Sequence, residues 1–261
     1  MAAPTPVSAY LHSATMVKAG IFLLGRLFPA LAGTETWFFV VSGVGLLTQL
    51  FAAYVALNRH DLKGLLAYST VSHLGLITLL FGLGTPLGEI AAVFHIINHA
   101  VFKASLFMAA GIVDHETGTR DMRRLTGLAR FMPWTATLAM VAAAAMAGVP
   151  LLNGFLSKEM FFAETLQVEW LGSAYWLLPV AATLASIFTV AYSARFVHDV
   201  FLGPTPVDLP RTPHEPPRWM KVPVEILVAL CLLVGLAPGW SVEPLLRAAA
   251  ASVLQAPLPE F

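Results

Sequence analysis

Three ionisable side chains recur at helical spacing within one long apolar stretch of the chain. Residues 91–111 read AAVFHIINHAVFKASLFMAAG and carry His95, His99 and Lys103 at positions i, i+4 and i+8. Side chains at this spacing lie on one face of a helix. Histidine exchanges protons near neutral pH, and lysine does so where burial favours its neutral form. We therefore predict that this face forms part of a pathway for protons or ions.

A purely structural role is the alternative for each of these residues. A core histidine is often satisfied by a hydrogen bond, and a lysine in a membrane helix can extend to the interface. A row of three is harder to explain in this way, because each additional buried polar group needs a partner of its own. The pattern favours the pathway.

The composition identifies the class of protein that holds this helix. Hydrophobic residues make up 57% of the 261 residues and charged residues only 11%, whereas soluble domains carry about 25% charged residues. The net charge is zero, so nothing indicates a nucleic-acid partner. The single cysteine, Cys231, excludes an internal disulfide and a cysteine-based metal site, and no metal or cofactor is expected. We predict an all-α, polytopic bundle of membrane helices in the inner or plasma membrane.

Seven apolar segments are long enough to cross a bilayer, which takes about 20 residues per helix. They are 6–31, 36–57, 62–83, 86–113, 133–166, 172–201 and 221–237. The connections after the second, fourth and sixth segments, with Lys63 and Lys221 at the adjoining segment ends, carry nine of the fifteen lysines and arginines. This predicts that these three connections lie together on the cytoplasmic side. The sixth connection is rich in proline, and residues 241–254 predict an interfacial helix.

The fifth segment exceeds one span and contains helix-breaking residues. The sequence MAGVP at 146–150 and the following Asn153 predict a break, because proline lacks an N–H and disfavours helix in the residue before it. Membranes tolerate a discontinuous helix only where it is buried in protein or lines a wet cavity. Lys158 would then lie at the start of the second half-helix, which we expect near Ser157. The alternative is that Lys158 and Glu159 form an ordinary interfacial pair.

The first and third segments carry further basic residues. His12 and Lys18 lie inside the first segment and are candidates for the same pathway. His73 lies inside the third segment and is a secondary candidate, as are Lys63 and Glu159. Lys63 begins its segment, so its simplest role is that of a cytoplasmic anchor.

Several motifs resemble one family of membrane proteins. The segments are PTPVSAYLHSATMVKAG (4–20), DLKGLLAYSTVSHLG (61–75), FHIINHAVFKASLF (94–107) and GVPLLNGFLSKE (148–159). They resemble the proton-translocating antiporter-like subunits of complex I and of Mrp cation/proton antiporters. The resemblance covers at least residues 4–159. It implies a fold of two inverted five-helix repeats, each with a broken helix.

The resemblance also implies roles for individual residues. His12 matches the histidine that links two half-channels, and the row of His95, His99 and Lys103 matches the polar row of the second half-channel. Lys158 matches the lysine of the second broken helix. Lys18 favours the A-type member of the Mrp antiporter, because complex I versions often have an uncharged residue there. The sequence HEPPRWMKVPVEIL that begins at His214 also resembles the later part of that Mrp protein.

One departure from the family concerns length. Family members are much longer, and the membrane glutamate and lysine of their first repeat have no counterpart here. We expect a fragment of a longer protein. Residues 1–201 would be the C-terminal part of the antiporter-like domain, with one complete repeat over about 36–201. Residues 202–261 would hold the proline-rich loop, one further membrane helix and the interfacial segment.

The resemblance implies a membrane subunit of a cation/proton antiporter that exchanges Na⁺, with K⁺ as an alternative, for H⁺. Expected partners are other subunits of a multisubunit antiporter and the lipid bilayer. One alternative is a proton-pumping subunit of a complex I-like oxidoreductase or membrane-bound hydrogenase. Another is a structural membrane piece without transport activity. We find no nucleotide or phosphate motif, so we expect no redox chemistry and no enzyme activity in the chain itself.

Overall fold

A computed structural model describes residues 5–168, 171–206 and 208–254 of the chain. The elements named within these ranges are helical, as the sequence predicts. We number the longer helices in chain order: α1 Thr5–Ser13, α2 Ala19–Leu31, α3 Glu35–Leu57, α4 Leu62–Gly82, α5 Pro86–Thr117, α6 Pro133–Ala147, α7 Asn153–Leu166, α8 Leu177–Phe201, α9 Arg218–Leu236 and α10 Glu243–Leu254.

Six stretches of the described residues are long and apolar enough to cross a membrane. They are Val7–Leu31, Glu35–Leu57, Leu62–Gly82, Pro86–Thr117, Gly172–Phe201 and Arg218–Leu236. The remaining predicted segment is divided between α6 and α7, each too short to span alone. A bundle with a discontinuous fifth segment is therefore confirmed. The repeat over residues 36–201 stays a prediction.

The break in the fifth segment lies at residues 148–152. Gly148 ends α6 in the left-handed conformation (φ +88°), and its N–H donates to the carbonyls of Ala144 and Ala145. Leu151 also has a positive φ of 70°, so the chain leaves the helical path completely before Asn153. The predicted start near Ser157 is wrong, because α7 begins at Asn153. Lys158 consequently lies in the second turn of the half-helix and not at its start.

The first segment is also discontinuous, which corrects the prediction of one unbroken helix. α1 ends at Ser13, a 3₁₀ turn follows at Met16–Lys18, and α2 begins at Ala19. The hydroxyl of Ser13 donates to the carbonyl of Ala9, and Thr15 donates to Tyr10 at 3.2 Å. Such side-chain bonds compete with the helical backbone and bend a helix. The interruption contains neither glycine nor proline.

The basic connections meet on one side of the bundle, as the charge pattern predicts. This surface, which we call the basic face, is formed by residues 58–61, 118–132, 202–206 and 208–217. Backbone hydrogen bonds join Leu62 to Arg120 at 3.0 Å and Gly127 to Leu202 at 3.1 Å. The Arg123 guanidinium lowers the pKa of Asp121 on this face to about 2.

The last turn of α5 is fixed to the basic face. Asp114 pairs with Lys63 at 3.7 Å, and Glu116 pairs with His214 at 3.2 Å. Arg211 donates to the carbonyl of His115 at 2.8 Å. One end of α5 is therefore held by the first turn of α4 and by the connection between α8 and α9.

The interfacial segment and the last span have the expected character. α10 buries Leu246 and Ala250 against the bundle, which gives it one apolar face. Trp219 and Trp240 flank the two ends of α9 and are 84% and 79% exposed. Tryptophan at such positions marks the two membrane–water interfaces.

α3 and α4 approach each other closely at glycines. A Cβ atom on Gly75 would lie 2.5 Å from the backbone nitrogen of Gln49 and 2.8 Å from the carbonyl oxygen of Gly45. A Cβ on Gly45 would collide with the backbone of Leu79 in the same way. Small residues allow this close backbone contact, which is a main source of helix association in membranes.

We expect Gly75→Ala to separate α3 from α4. The collision is with backbone atoms, which cannot rotate away, so the free energy of unfolding should fall by about 1–3 kcal/mol. Thermal unfolding of the detergent-extracted protein measures this loss. Gly43→Ala is the matched control, because a Cβ there meets nothing within 4 Å. Equal melting of the two variants would contradict the glycine contact.

Candidate functional site

The row of His95, His99 and Lys103 lies in the middle of the bundle. All three side chains have no exposed surface, so they face other helices and not lipid, as predicted. α1, α4, α6 and α7 supply residues that contact this row. The bundle is therefore apolar on its outside and has a polar centre on the inward face of α5.

His73 of α4 belongs to the centre of this arrangement. Its Nδ1 lies 3.0 Å from Nε2 of His95, and the two rings stack with centroids 5.2 Å apart. Nδ1 of His95 lies 2.9 Å from the hydroxyl oxygen of Ser157 in α7. Three helices are thus joined by one hydrogen-bonded chain through two imidazoles. The sequence ranks His73 only as a secondary candidate, because its partner lies on another helix.

His99 lies beside this hydrogen-bonded chain. Its ring centroid is 5.5 Å from that of His73 and 5.6 Å from that of Phe102, and the backbone of Ser13 is near enough to interact with it. Within the described part of the protein, neither of its ring nitrogens has a partner at full hydrogen-bond geometry. A buried polar group without such a partner costs on the order of 1–3 kcal/mol. His99 is therefore available to bind a mobile donor or acceptor.

Lys103 is held by neutral acceptors. Its Nζ donates to the hydroxyl of Ser69, lies 3.4 Å from the carbonyl oxygen of Leu66 and contacts Sδ of Met146 at 3.2 Å. Ser69 comes from α4, one turn before His73. The predicted reach of Lys103 to a polar partner is confirmed.

The discontinuous first segment brings Lys18 to the same helix. Lys18 is buried, and its Nζ donates to the carbonyl of Ile96 at 2.8 Å. His12 is half-buried and stacks on Phe107 of α5 with centroids 5.8 Å apart. The two residues contact α5 at points eleven residues apart, so the break separates them as their spacing suggests.

Lys158 reaches back across the break in the fifth segment. Its Nζ donates to the carbonyl of Ala147 at 2.8 Å, and its side chain passes directly over Gly148. The carbonyl end of a helix is the negative end of its dipole. Lys158 is therefore stabilised by the negative end of α6. It does not lie at the start of α7, where the positive end of the helix dipole would oppose its charge. Its charge acts on both His95 and Lys103.

Two of the secondary candidates lie outside the row. Lys63 pairs with Asp114 at the basic face, which agrees with an anchoring role. Glu159 is exposed and lines a groove of 260 Å³ beside Leu246 of α10. It does not neutralise Lys158 directly.

Two asparagines, neither of them a predicted site residue, also join α5 to α7. The side-chain amide of Asn98 donates to the carbonyl of Asn153 at 3.0 Å, and that of Asn153 donates back to the carbonyl of Asn98 at 3.4 Å. Asn98 lies one turn from His95, so its spacing was a usable signal. Each side-chain amide therefore donates to a backbone carbonyl of the other helix.

The three buried lysines around α5 share one electrostatic property. Among the residues that the structure describes, salt bridges of lysine involve Lys63 and Lys221, and none involves Lys18, Lys103 or Lys158. Each of these three uses neutral oxygen acceptors instead. A buried ammonium without a carboxylate is costly, so the site cannot hold a positive charge on every basic group at once.

Comparison with known proteins identifies relatives of this arrangement. The chain is 64% identical, over its whole length, to the probable K⁺/H⁺ antiporter A/B subunit of Rhizobium meliloti (strain 1021). It is 46% identical over 92% of its length to the Na⁺/H⁺ antiporter A-type subunit of Bacillus subtilis (strain 168). It spans only 26% and 32% of the lengths of these relatives.

A solved structure and a family model point to the same kind of protein as these relatives. The chain is similar to one chain in the structure of the Mrp complex from Dietzia sp. DQ12-45-1b, with a TM-score of 0.88 and 43% identity. The match covers 99% of this chain and 28% of the Dietzia chain. The model described as NADH:quinone oxidoreductase/Mrp antiporter, TM, matches residues 1–189. The helices match those of this family, and the chain is a multi-pass membrane protein. The chain therefore belongs to the NADH:quinone oxidoreductase/Mrp antiporter transmembrane family.

Proposed function

We propose that this chain forms part of a membrane subunit of a cation/proton antiporter and supplies a proton pathway through it. The observation that carries the proposal is the set of buried basic groups that have only neutral acceptors. Because they cannot all be charged together, binding a proton at one favours its release from another. Such a set transfers protons instead of storing them.

The pathway runs along α5. Lys103 and Ser69 lie at one end, the stacked pair of His73 and His95 lies in the middle, and Lys158 lies within electrostatic reach of both. His99 lies beside the middle of this row, and its two ring nitrogens, unpartnered within the described residues, would exchange protons with the row through water. Each step moves one proton between nitrogen atoms or through water, and no covalent bond other than N–H or O–H changes. His12 and Lys18 link this pathway to the residues around the first break.

A monovalent cation and a proton compete for this set of charges. A cation that enters near Lys158 raises the cost of a charged lysine there and drives its proton onward. The relatives are an Na⁺/H⁺ and a probable K⁺/H⁺ antiporter subunit. We propose Na⁺ as the exchanged cation and K⁺ as the alternative, with other subunits of a multisubunit antiporter as partners.

A proton-pumping subunit of a complex I-like oxidoreductase is the second candidate. The matching family model includes both kinds of protein, and a row of buried basic groups serves either. The 64% and 46% identities to antiporter subunits favour exchange. Exchange without an electron donor distinguishes the two, because a redox-driven pump needs the donor.

We expect Lys158→Ala to abolish cation/proton exchange in the full-length assembly. Lys158→Arg should impair exchange as well, because arginine retains its proton at any working pH. The measurement is the Na⁺- or K⁺-dependent dissipation of a proton gradient in everted vesicles. The matched control is Glu159→Gln, which changes an exposed neighbour and should leave exchange unchanged.

Two outcomes of this experiment would count against the proposal. Exchange at the normal rate in the Arg variant would show that Lys158 acts as a fixed charge that never releases its proton. Normal exchange in the Ala variant, with the protein present at normal amounts in the vesicles, would remove Lys158 from the pathway.

The position of Lys158 depends on Gly148, which gives a second prediction. A Cβ on Gly148 would lie 2.7 Å from Cδ of Lys158, and the residue has φ +88°. Gly148→Ala should displace the lysine from the Ala147 carbonyl and lower the exchange rate on the order of a hundredfold, as misplacing a reacting group does.

Gly33→Ala separates the collision from backbone strain. Gly33 has nearly the same φ of +84°, but a Cβ there meets nothing within 4 Å. Both variants should lose similar stability through strain, and only Gly148→Ala should lose exchange beyond that. Equal exchange rates in the Gly148→Ala and Gly33→Ala variants would show that Lys158 does not need its hydrogen bond to the Ala147 carbonyl.

A further inference from the structure

α5 and α7 lie antiparallel, and their contacts continue beyond the histidines. Asn98 contacts Asn153, His95 contacts Ser157, and at the far end Thr85 donates to the carboxylate of Glu164. The two helices thus remain in contact from the centre of the bundle to the face opposite the basic face. α5 begins at that face with Thr85 as its cap.

Glu89 lies on this descending part of α5 and is unlike the other acidic residues. It has no exposed surface, and both carboxylate oxygens lack a hydrogen-bond partner within the described residues. Glu164 is similarly buried but accepts a hydrogen bond from Thr85. An unpaired buried carboxylate is costly, so Glu89 needs a proton or a mobile partner.

The helical spacing points to Lys18 as the basic group related to Glu89. Glu89 and Ile96 are seven residues apart, so they lie on the same face of α5, separated by about 10 Å along its axis. Ile96 is the residue whose carbonyl accepts from Nζ of Lys18. A buried amine and a buried carboxyl group therefore share one face two helical turns apart, and among the described residues neither is paired with an opposite charge.

We infer that Glu89 is a further proton-carrying residue, which exchanges protons between Lys18 and the membrane face where α5 begins. The inference rests on the proposed function, since it extends the same pathway. An N–H bond of the Lys18 ammonium breaks, and an O–H bond forms on the Glu89 carboxylate through intervening water. Both residues become neutral, which a low dielectric favours. The carboxylic acid then gives its proton to water at the face.

The proposed role requires Glu89 to exist both as a carboxylate and as a neutral acid. Its position in the first turns of α5 places it near the positive end of the dipole of a 32-residue helix, which favours the carboxylate. Its burial favours the neutral acid. A group balanced in this way can accept and release a proton, whereas the hydrogen bond from Thr85 fixes Glu164 as a structural acceptor.

The test compares Glu89→Gln with Glu164→Gln in the full antiporter assembly, again as proton-gradient dissipation in everted vesicles. Gln keeps the shape of the side chain but cannot carry a proton. We expect the Glu89 variant to lose exchange on the order of a hundredfold, the usual contribution of a proton-transfer group. The Glu164 variant should keep most of its activity. Glu89→Asp should restore part of the exchange that Glu89→Gln loses, because the carboxyl group returns.

A double variant tests the link to Lys18. If the two residues act in one step, Lys18→Met with Glu89→Gln should be no slower than the slower single variant. Additive losses would overturn the link, and a normal rate in Glu89→Gln would overturn the assignment itself. Equal losses in the two Gln variants would show a structural effect at the helix end and also overturn it.

Two controls keep this result separate from the proposed function. The unaltered assembly must exchange, and Lys158→Ala must abolish exchange; failure of either refutes the proposed function. If both hold and Glu89→Gln is normal, only the inference about Glu89 fails. Should Glu89→Gln not assemble, Glu89→Met gives the same comparison, since it also removes the proton-carrying group.

Discussion

The arrangement depends on the cost of holding several ammonium groups in a medium of low dielectric without opposing carboxylates. Hydrogen bonds to neutral oxygens partly offset that cost for Lys18, Lys103 and Lys158. The oxygens that accept from Lys18 and Lys158 are backbone carbonyls. A regular helix uses its carbonyls internally, so a free one is found at a helix end or is shared. The interruptions of the helices are therefore part of the electrostatics and not defects of the fold.

The two interruptions act differently on α5. The break between α6 and α7 supplies the Ala147 carbonyl and lets Lys158 turn back over Gly148. The break between α1 and α2 instead turns a lysine inwards, so that Lys18 shares the carbonyl of Ile96 with the helix. Both breaks lie beside the same long helix, so the buried basic groups are all positioned around α5.

Periodicity and helix-breaking residues were sufficient to predict much of this structure. The 3.6-residue period correctly places His95, His99 and Lys103 on one inward face, and Pro150 correctly marks a break. The start of α7 was missed because Asn153 and Gly154, residue types that favour loops, lie within the helix, where Gly154 packs against the carbonyl of Ala145. The first break was missed because it is made by hydroxyl side chains. The pairing of His73 with His95 could not be predicted, since no rule of local sequence specifies contacts between helices.

The length of α5 has a mechanical consequence. Its 32 residues extend for about 48 Å, which exceeds the hydrocarbon thickness of about 30 Å. The surplus amounts to roughly three turns. The last of these is held at the surface by Lys63, Arg211 and His214. Because this end is held, a tilt of α5 would also displace the residues that clamp it. A change among the buried charges would then be coupled to the aqueous surface through one rigid helix.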